Sequence, residues 1–269
     1  MDRIRLSNMP KLKSPILLLR GINSDSRYWL DFPKEFDEDI KLLIVDLPGT
    51  GKNIESKTPL SISEHVKFLR NQINPDYLSR GMHIIGLSLG GMIAIQWLSM
   101  FPNEIKSVTA MSSTGGKFYS SITRINPINW FKLTFSMTVD KIFRTTFFPK
   151  NLVSIVTNIP KDSARNNWIA MKFTSLGNES RVPVFSTLRQ IIAASRWSPD
   201  FSNCPKLGNR VLLLKAQYDR FIPPKSVNRL HNMIPNSALH EISSGHQISL
   251  SHPHEVIEVS ISHFLDWEK

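Results

Sequence analysis

Cysteine is almost missing from this chain of 269 residues, in which Cys204 stands alone. One thiol cannot close an internal disulfide, and no cysteine–histidine cluster suggests zinc. Cys204 precedes Pro205 with no histidine nearby and reads as a small linker residue. Long apolar runs are missing too. None reaches the ~18 residues that mark a membrane span. The N-terminus has no long apolar stretch followed by a small-residue cleavage site, so no secretory leader is expected. Together these absences predict a cytoplasmic protein. No internal repeat or low-complexity tract is visible. Acidic residues are in deficit, with 22 Asp and Glu against 33 Lys and Arg and a net charge of +11. The deficit is local: residues 117–206 hold thirteen basic residues and four acidic ones. The basicity therefore belongs mainly to one segment. Nucleic acid is not its expected partner, because no recognition motif accompanies the charge.

What is present suits one large domain with an insertion. The chain is 41% hydrophobic and 20% charged, enough for a substantial core. Pro15–Leu19 and Lys41–Asp46 are continuous apolar runs of the kind that form parallel strands covered on both faces. Ser61-Ile62-Ser63-Glu64 opens a helix with a capping-box pattern. A strand over Met82–Ile85, a helix from Gly91 to Phe101 and a strand over Ser107–Met111 follow. This alternation predicts an α/β fold with a mostly parallel sheet. It breaks at residues 112–116, and helices and loops run to about Pro205, including an aromatic-rich stretch from Trp130 to Phe148. It resumes with a strand over Arg210–Lys215, a helix over Pro223–Ile234, a strand over Leu239–Ile242 and a closing helix over His252–Trp267. The expected organisation is a core of residues 1–115 and 206–269, with residues 116–205 inserted as a helical cap.

Gly86-Leu87-Ser88-Leu89-Gly90 carries the sharpest chemical signal. A strand-like run precedes it and a helix-like run follows, which is the context of a Gly-x-Ser-x-Gly nucleophile elbow. The turn projects a serine hydroxyl while the new helix aims backbone N–H groups at developing negative charge. A serine hydroxyl needs a base, and the base needs an orienting acid. The elbow fold supplies these in the order Ser, then Asp or Glu, then His. Asp219, on the loop leaving a late strand, and His246, in Ser244-Gly245-His246-Gln247, fit that order. Asp46 precedes Ser88 and suits a structural loop better. His231 lies within a helix, and His252 and His254 flank a helix start.

At this point the chain resembles the α/β-hydrolase superfamily over nearly its whole length. Leu19-Arg20-Gly21-Ile22 stands where the family often has His-Gly, and Asp46-Leu47-Pro48-Gly49-Thr50-Gly51 resembles its Asp-x-x-Gly-x-Gly loop. The elbow, Asp219 and Gly245-His246 complete five matches in the family's order. The resemblance implies a nucleophile at Ser88, a base at His246, an acid at Asp219, and an oxyanion hole from the backbone N–H groups of Leu89 and Ile22. It implies no metal and no organic cofactor. Arg20 departs from the family's histidine. A guanidinium there pairs with a nearby carboxylate or meets an anionic substrate group.

The expected reaction is hydrolysis of a carboxylic ester through an acyl-enzyme. Lipase, thioesterase and acyltransferase chemistry share the triad, and a non-catalytic binding protein on the same fold is the rival of another class. Arg165 and Lys172 are seven residues apart, as are Arg189 and Arg196, so each pair shares a helix face. The four read either as a solvated face or as a docking surface for an acidic acyl-carrier protein. The second reading follows a broad similarity to pimeloyl-acyl-carrier-protein methyl ester esterases, which have basic cap helices. Contact with an anionic membrane surface is a third reading.

Overall fold

The computed structural model describes residues 12–115, 150–179, 182–201 and 205–268. Cys204 and the aromatic stretch from Trp130 to Phe148 lie outside them. Among the described residues six strands form one sheet: β1 (Ile16–Leu19), β2 (Leu42–Ile44), β3 (Met82–Leu87), β4 (Ile105–Met111), β5 (Val211–Ala216) and β6 (Ala238–Ile242). Their order is β2-β1-β3-β4-β5-β6, and every neighbouring pair is parallel.

Side chains alternate across the sheet, so each strand feeds two cores. Leu17 and Leu19 face α1 (Ile62–Arg70) and α3 (Leu89–Met100), packing with Val66, Leu69, Ile93 and Trp97. Ile16 and Leu18 face the other way. They pack with Trp29 and Phe32 and with Val256, Ile257, Ile261 and Phe264 of the closing helix. Covering on both faces explains the unbroken apolar run of β1 and the full burial of β3, His83 included. The expectation of full cover fails at β2, where Ile44 is 40% exposed. β2 is the edge strand, so it has a neighbour on one side only.

Ser61 caps α1 as the capping pattern predicts, its hydroxyl accepting from the Glu64 N–H at 3.3 Å. α1 stops at Arg70, and a separate α2 (Pro75–Arg80) begins with proline in its first turn, where the missing N–H costs no helical bond.

Between β4 and β5 lie three described helices: α4 (Lys150–Thr157), α5 (Ala164–Glu179) and α6 (Val184–Arg196). The chain returns to the sheet through β5, α7 (Pro224–Met233) and β6. It ends in the short α8 (Ile248–Ser251), which no periodicity announced, and α9 (Pro253–Leu265). No described helix is long and apolar enough to cross a membrane.

Candidate active site

In a parallel sheet the carboxyl ends of all strands lie along one edge, and the loops leaving that edge gather chemistry. Ser88 leaves β3 with φ +55° and ψ −112°. This left-handed conformation is strained for a side chain with a Cβ, and such strain is held at functional turns by its surroundings. Its N–H donates to the Met111 carbonyl at 2.8 Å, and the Ser113 hydroxyl donates to its carbonyl at 2.8 Å. Gly90 lets α3 pass against β1, because a Cβ there would lie 2.2 Å from the Leu19 carbonyl oxygen. Leu89 opens α3, so its N–H has no acceptor within the helix and sits at the helix's positive end.

The loop after β1 lies directly against the serine. A Cβ built on Gly21 would be 3.2 Å from Ser88 Cβ and 3.9 Å from its hydroxyl oxygen. Ile22 follows and is half-buried.

Asp219 leaves β5 and His246 leaves β6. Asp219 Oδ1 accepts from the backbone N–H groups of Phe221 and Ile222, both at 2.8 Å. Its Oδ2 lies 2.7 Å from His246 Nδ1. The side chains of Asp219 and His246 are 1% and 13% exposed, so the acid is sealed while the imidazole keeps an open edge. The two loops are also tied through backbone. Gln217 N–H donates to the Ile242 carbonyl and Tyr218 N–H to that of Ser244, each at 2.9 Å.

The inserted helices reach this edge as well. Gly245 N–H donates to the Thr157 carbonyl at 3.1 Å, and Gln247 N–H to that of Val156 at 2.7 Å. The neighbours of His246 on both sides are thus bonded to the end of α4. Gln190 of α6 accepts from the Asn23 N–H at 3.0 Å.

Asp46, the rival carboxylate, ties its own loop to the segment after β1 by accepting from the N–H groups of Lys52 and Ser26. Arg20 is 2% exposed. Instead of a carboxylate, its Nη2 donates to the Gln247 amide oxygen at 3.0 Å, and its guanidinium lies 4.7 Å over the Trp29 ring.

The four basic residues expected at a docking surface divide. Arg165 donates to Asp31 at 2.9 Å through Nη2 and at 2.5 Å through Nη1, and also to the Leu250 carbonyl. Arg189 Nε donates to the Thr58 carbonyl. Lys172 and Arg196 are exposed. Reading the sequence missed Gln190 and Thr187, because their contacts with Asn23 span more than 160 residues and no local pattern marks them. Ser24, whose hydroxyl reaches back three residues to the Gly21 carbonyl, carried a local signal in its spacing.

Among proteins of known name, the chain is similar to a "Biotin biosynthesis bifunctional protein BioHC" of Teredinibacter turnerae. The two are 26% identical over 266 residues, covering 91% of this chain and 43% of that protein. The chain thus spans less than half the length of that relative. It is 23% identical to a "Poly(3-hydroxyalkanoate) depolymerase" of Ectopseudomonas oleovorans, over 95% of this chain and 86% of that one. Among solved structures, a putative lipase of Acinetobacter baumannii shares the fold at a TM-score of 0.68 and 23% identity, covering 96% of this chain and 86% of the lipase. The family model described as "alpha/beta hydrolase fold" matches residues 14–253. With the sheet, the elbow and that match in agreement, the chain belongs to the α/β-hydrolase family.

Proposed function

We propose that the protein is a serine hydrolase that cleaves carboxylic esters through an acyl-enzyme on Ser88. The observation that carries this reading is the 2.7 Å contact between His246 Nδ1 and Asp219 Oδ2. Two backbone donors hold Asp219 as an acceptor. Nδ1–H then donates to Oδ2, and Nε2 keeps the lone pair that a general base needs.

In the first half-reaction Ser88 Oγ attacks the ester carbonyl carbon while Nε2 takes its proton. The carbonyl oxygen becomes an oxyanion held by the N–H groups of Leu89 and Ile22. Collapse expels the alcohol, which leaves with the proton from Nε2. Water then attacks the acyl-enzyme with the same base, and collapse frees the acid and restores Ser88. The sealed Asp219 stabilises the imidazolium at both stages.

Labelling by a fluorophosphonate that is lost in Ser88→Ala identifies the nucleophile. Turnover of p-nitrophenyl esters of graded chain length defines the acyl preference. A wild-type protein that neither takes the label nor hydrolyses any ester overturns this reading.

A narrower reading concerns the acyl donor. The relative named for biotin biosynthesis covers nearly all of this chain, and the segment carrying α4–α6 is strongly basic. Both favour an ester borne on an acidic carrier, such as a pimeloyl-acyl-carrier-protein methyl ester. Lys172 and Arg196 are exposed and are the residues to reverse. Lys172→Glu and Arg196→Glu should slow turnover of a carrier-linked ester and spare small soluble esters. Equal effects on both substrates would reject carrier docking, and loss of binding to anionic vesicles instead would favour a lipid surface.

A further inference from the structure

Gln190 sits on α6, is fully buried, and uses only half of its amide. Its Oε1 accepts from the backbone N–H of Asn23 at 3.0 Å. Its Nε2 is buried with no hydrogen-bond partner among the described residues. An apolar side chain would fill the same space without stranding a donor, so packing does not explain this glutamine. Its use lies in the oxygen.

Asn23 marks a sharp change of direction in this loop. Its backbone has φ +57°, a left-handed conformation that asparagine adopts more readily than other residues with a Cβ. Thr187, one turn before Gln190 on α6, donates from its hydroxyl to Asn23 Oδ1 at 3.0 Å. The same helix therefore grips Asn23 by backbone and by side chain.

The residue before Asn23 is Ile22, whose N–H is the proposed second oxyanion donor. The peptide unit bearing that N–H has Gly21 C=O at its other end. A trans peptide points the two groups in opposite directions. The Ser24 hydroxyl donates to that carbonyl at 3.0 Å, which fixes the plane of the unit. Gln190 fixes the next plane by taking the Asn23 N–H. With Asn23 N–H engaged by α6 and Gly21 C=O engaged by Ser24, the planes on both sides of Ile22 are held, next to Gly21, which packs against Ser88.

We propose that Gln190, with Thr187, is a positioning residue that sets the oxyanion loop from the inserted helix α6, so that the Ile22 N–H meets charge as it develops on the substrate. This rests on the serine-hydrolase reading above. A donor misplaced by about 1 Å loses rate at the chemical step while ground-state binding survives.

The test uses full-length protein and a p-nitrophenyl ester that the wild type hydrolyses. Gln190→Met keeps the volume and removes the acceptor. It should lower kcat by roughly 10- to 100-fold while KM moves less than about twofold. Affinity for a trifluoromethyl ketone, which forms the oxyanion on Ser88, should fall in the same proportion. Ser24→Ala fixes the other plane less well and should give the same kcat-weighted loss, which keeps the proposal testable if Gln190→Met fails to fold. Unchanged kcat in Gln190→Met and Ser24→Ala overturns it, as does a loss that falls on KM alone. An inactive wild type is a different result and overturns the hydrolase reading itself.

Discussion

Arg20 is a cation that its surroundings do little to welcome. It is buried between Trp29 and Gln247, and two of its nitrogens have no hydrogen-bond partner among the described residues. Burial pushes its pKa down to about 9, against the opposing charges of Tyr28 and Asp25. A buried charge without a paired carboxylate carries a desolvation cost that an apolar side chain of similar length does not. Arg20→Met should therefore raise the melting temperature. It should also slow ester hydrolysis, because Gln247, the residue after His246, loses its partner. Thermal melts and kcat on the same preparation check both halves. A fall in melting temperature would mean that Arg20 is structural after all. Asp219→Asn is the companion change. With an amide at residue 219, the tautomer of His246 is no longer fixed by an acceptor, and kcat should drop by about 10⁴-fold with little change in melting temperature.

Among the elements, α4 and α6 do more than cover the sheet. α4 receives hydrogen bonds from residues on both sides of His246, and it does so at close quarters. A Cβ on Gly245 would lie 2.7 Å from the Val156 carbonyl oxygen and 2.9 Å from Asn158 N. Those are backbone atoms, so they cannot turn aside. Gly245→Ala should part the His246 loop from α4, lowering both kcat and the melting temperature. Wild-type values for both would show that the loop has slack the packing does not suggest. α6 turns Thr187 and Gln190 inward and leaves Val184, Phe185 and Leu188 exposed on its other side. Little of this could be read from the residues in order. The elbow was legible because strand, turn and helix adjoin in sequence, and Asp219 and His246 because chain order after the elbow constrains them. Gln190 was not, because nothing near it in the chain hints at Asn23. The commitment of Arg165 to Asp31 was hidden for the same reason, with 134 residues between them.

Across the whole molecule, acid is the expected weakness. His65 and His83 are buried and His263 is half-buried, and burial holds the pKa of each below the usual histidine value. At a given pH the folded chain therefore holds fewer protons on them than the unfolded chain does. The unfolded chain takes up protons on them as the pH falls through about 6.5, so stability declines from there. Glu268 adds a second stage. It accepts from the Ser14 N–H at 3.0 Å, meets His83 Nε2 at 3.0 Å and lies 3.5 Å from Lys106 Nζ. Against the opposing effect of burial, the His83 and Ser14 hydrogen bonds hold its pKa down at about 2. A carboxylate depressed in this way stabilises the fold above its unfolded value and loses that contribution as the pH falls towards 2. The melting temperature should therefore decline from pH 7 to pH 5 and fall further below pH 4.5. Glu268→Gln should cost about 1 kcal/mol at pH 7 and flatten the second stage. A melting temperature independent of pH between 7 and 4 would contradict this. The chain's order of motifs made the sheet legible at this scale. The cluster joining Ser14, His83, Lys106 and Glu268 was not legible, since it draws on segments from opposite ends of the sequence.

The bonds from α4 to the His246 loop and from α6 to Asn23 carry a consequence for how such proteins diverge and are engineered. Inserted helices are commonly treated as exchangeable parts that alter substrate choice while the catalytic body stays constant. Here a graft that replaces residues 150–196 also removes the Thr157 and Val156 carbonyls and the Gln190 amide. A chimera with a foreign insert should bind its new ester and turn it over poorly. Transplants that carry these contacts across should keep their speed, so a redesign of this insert has to treat recognition and rate together.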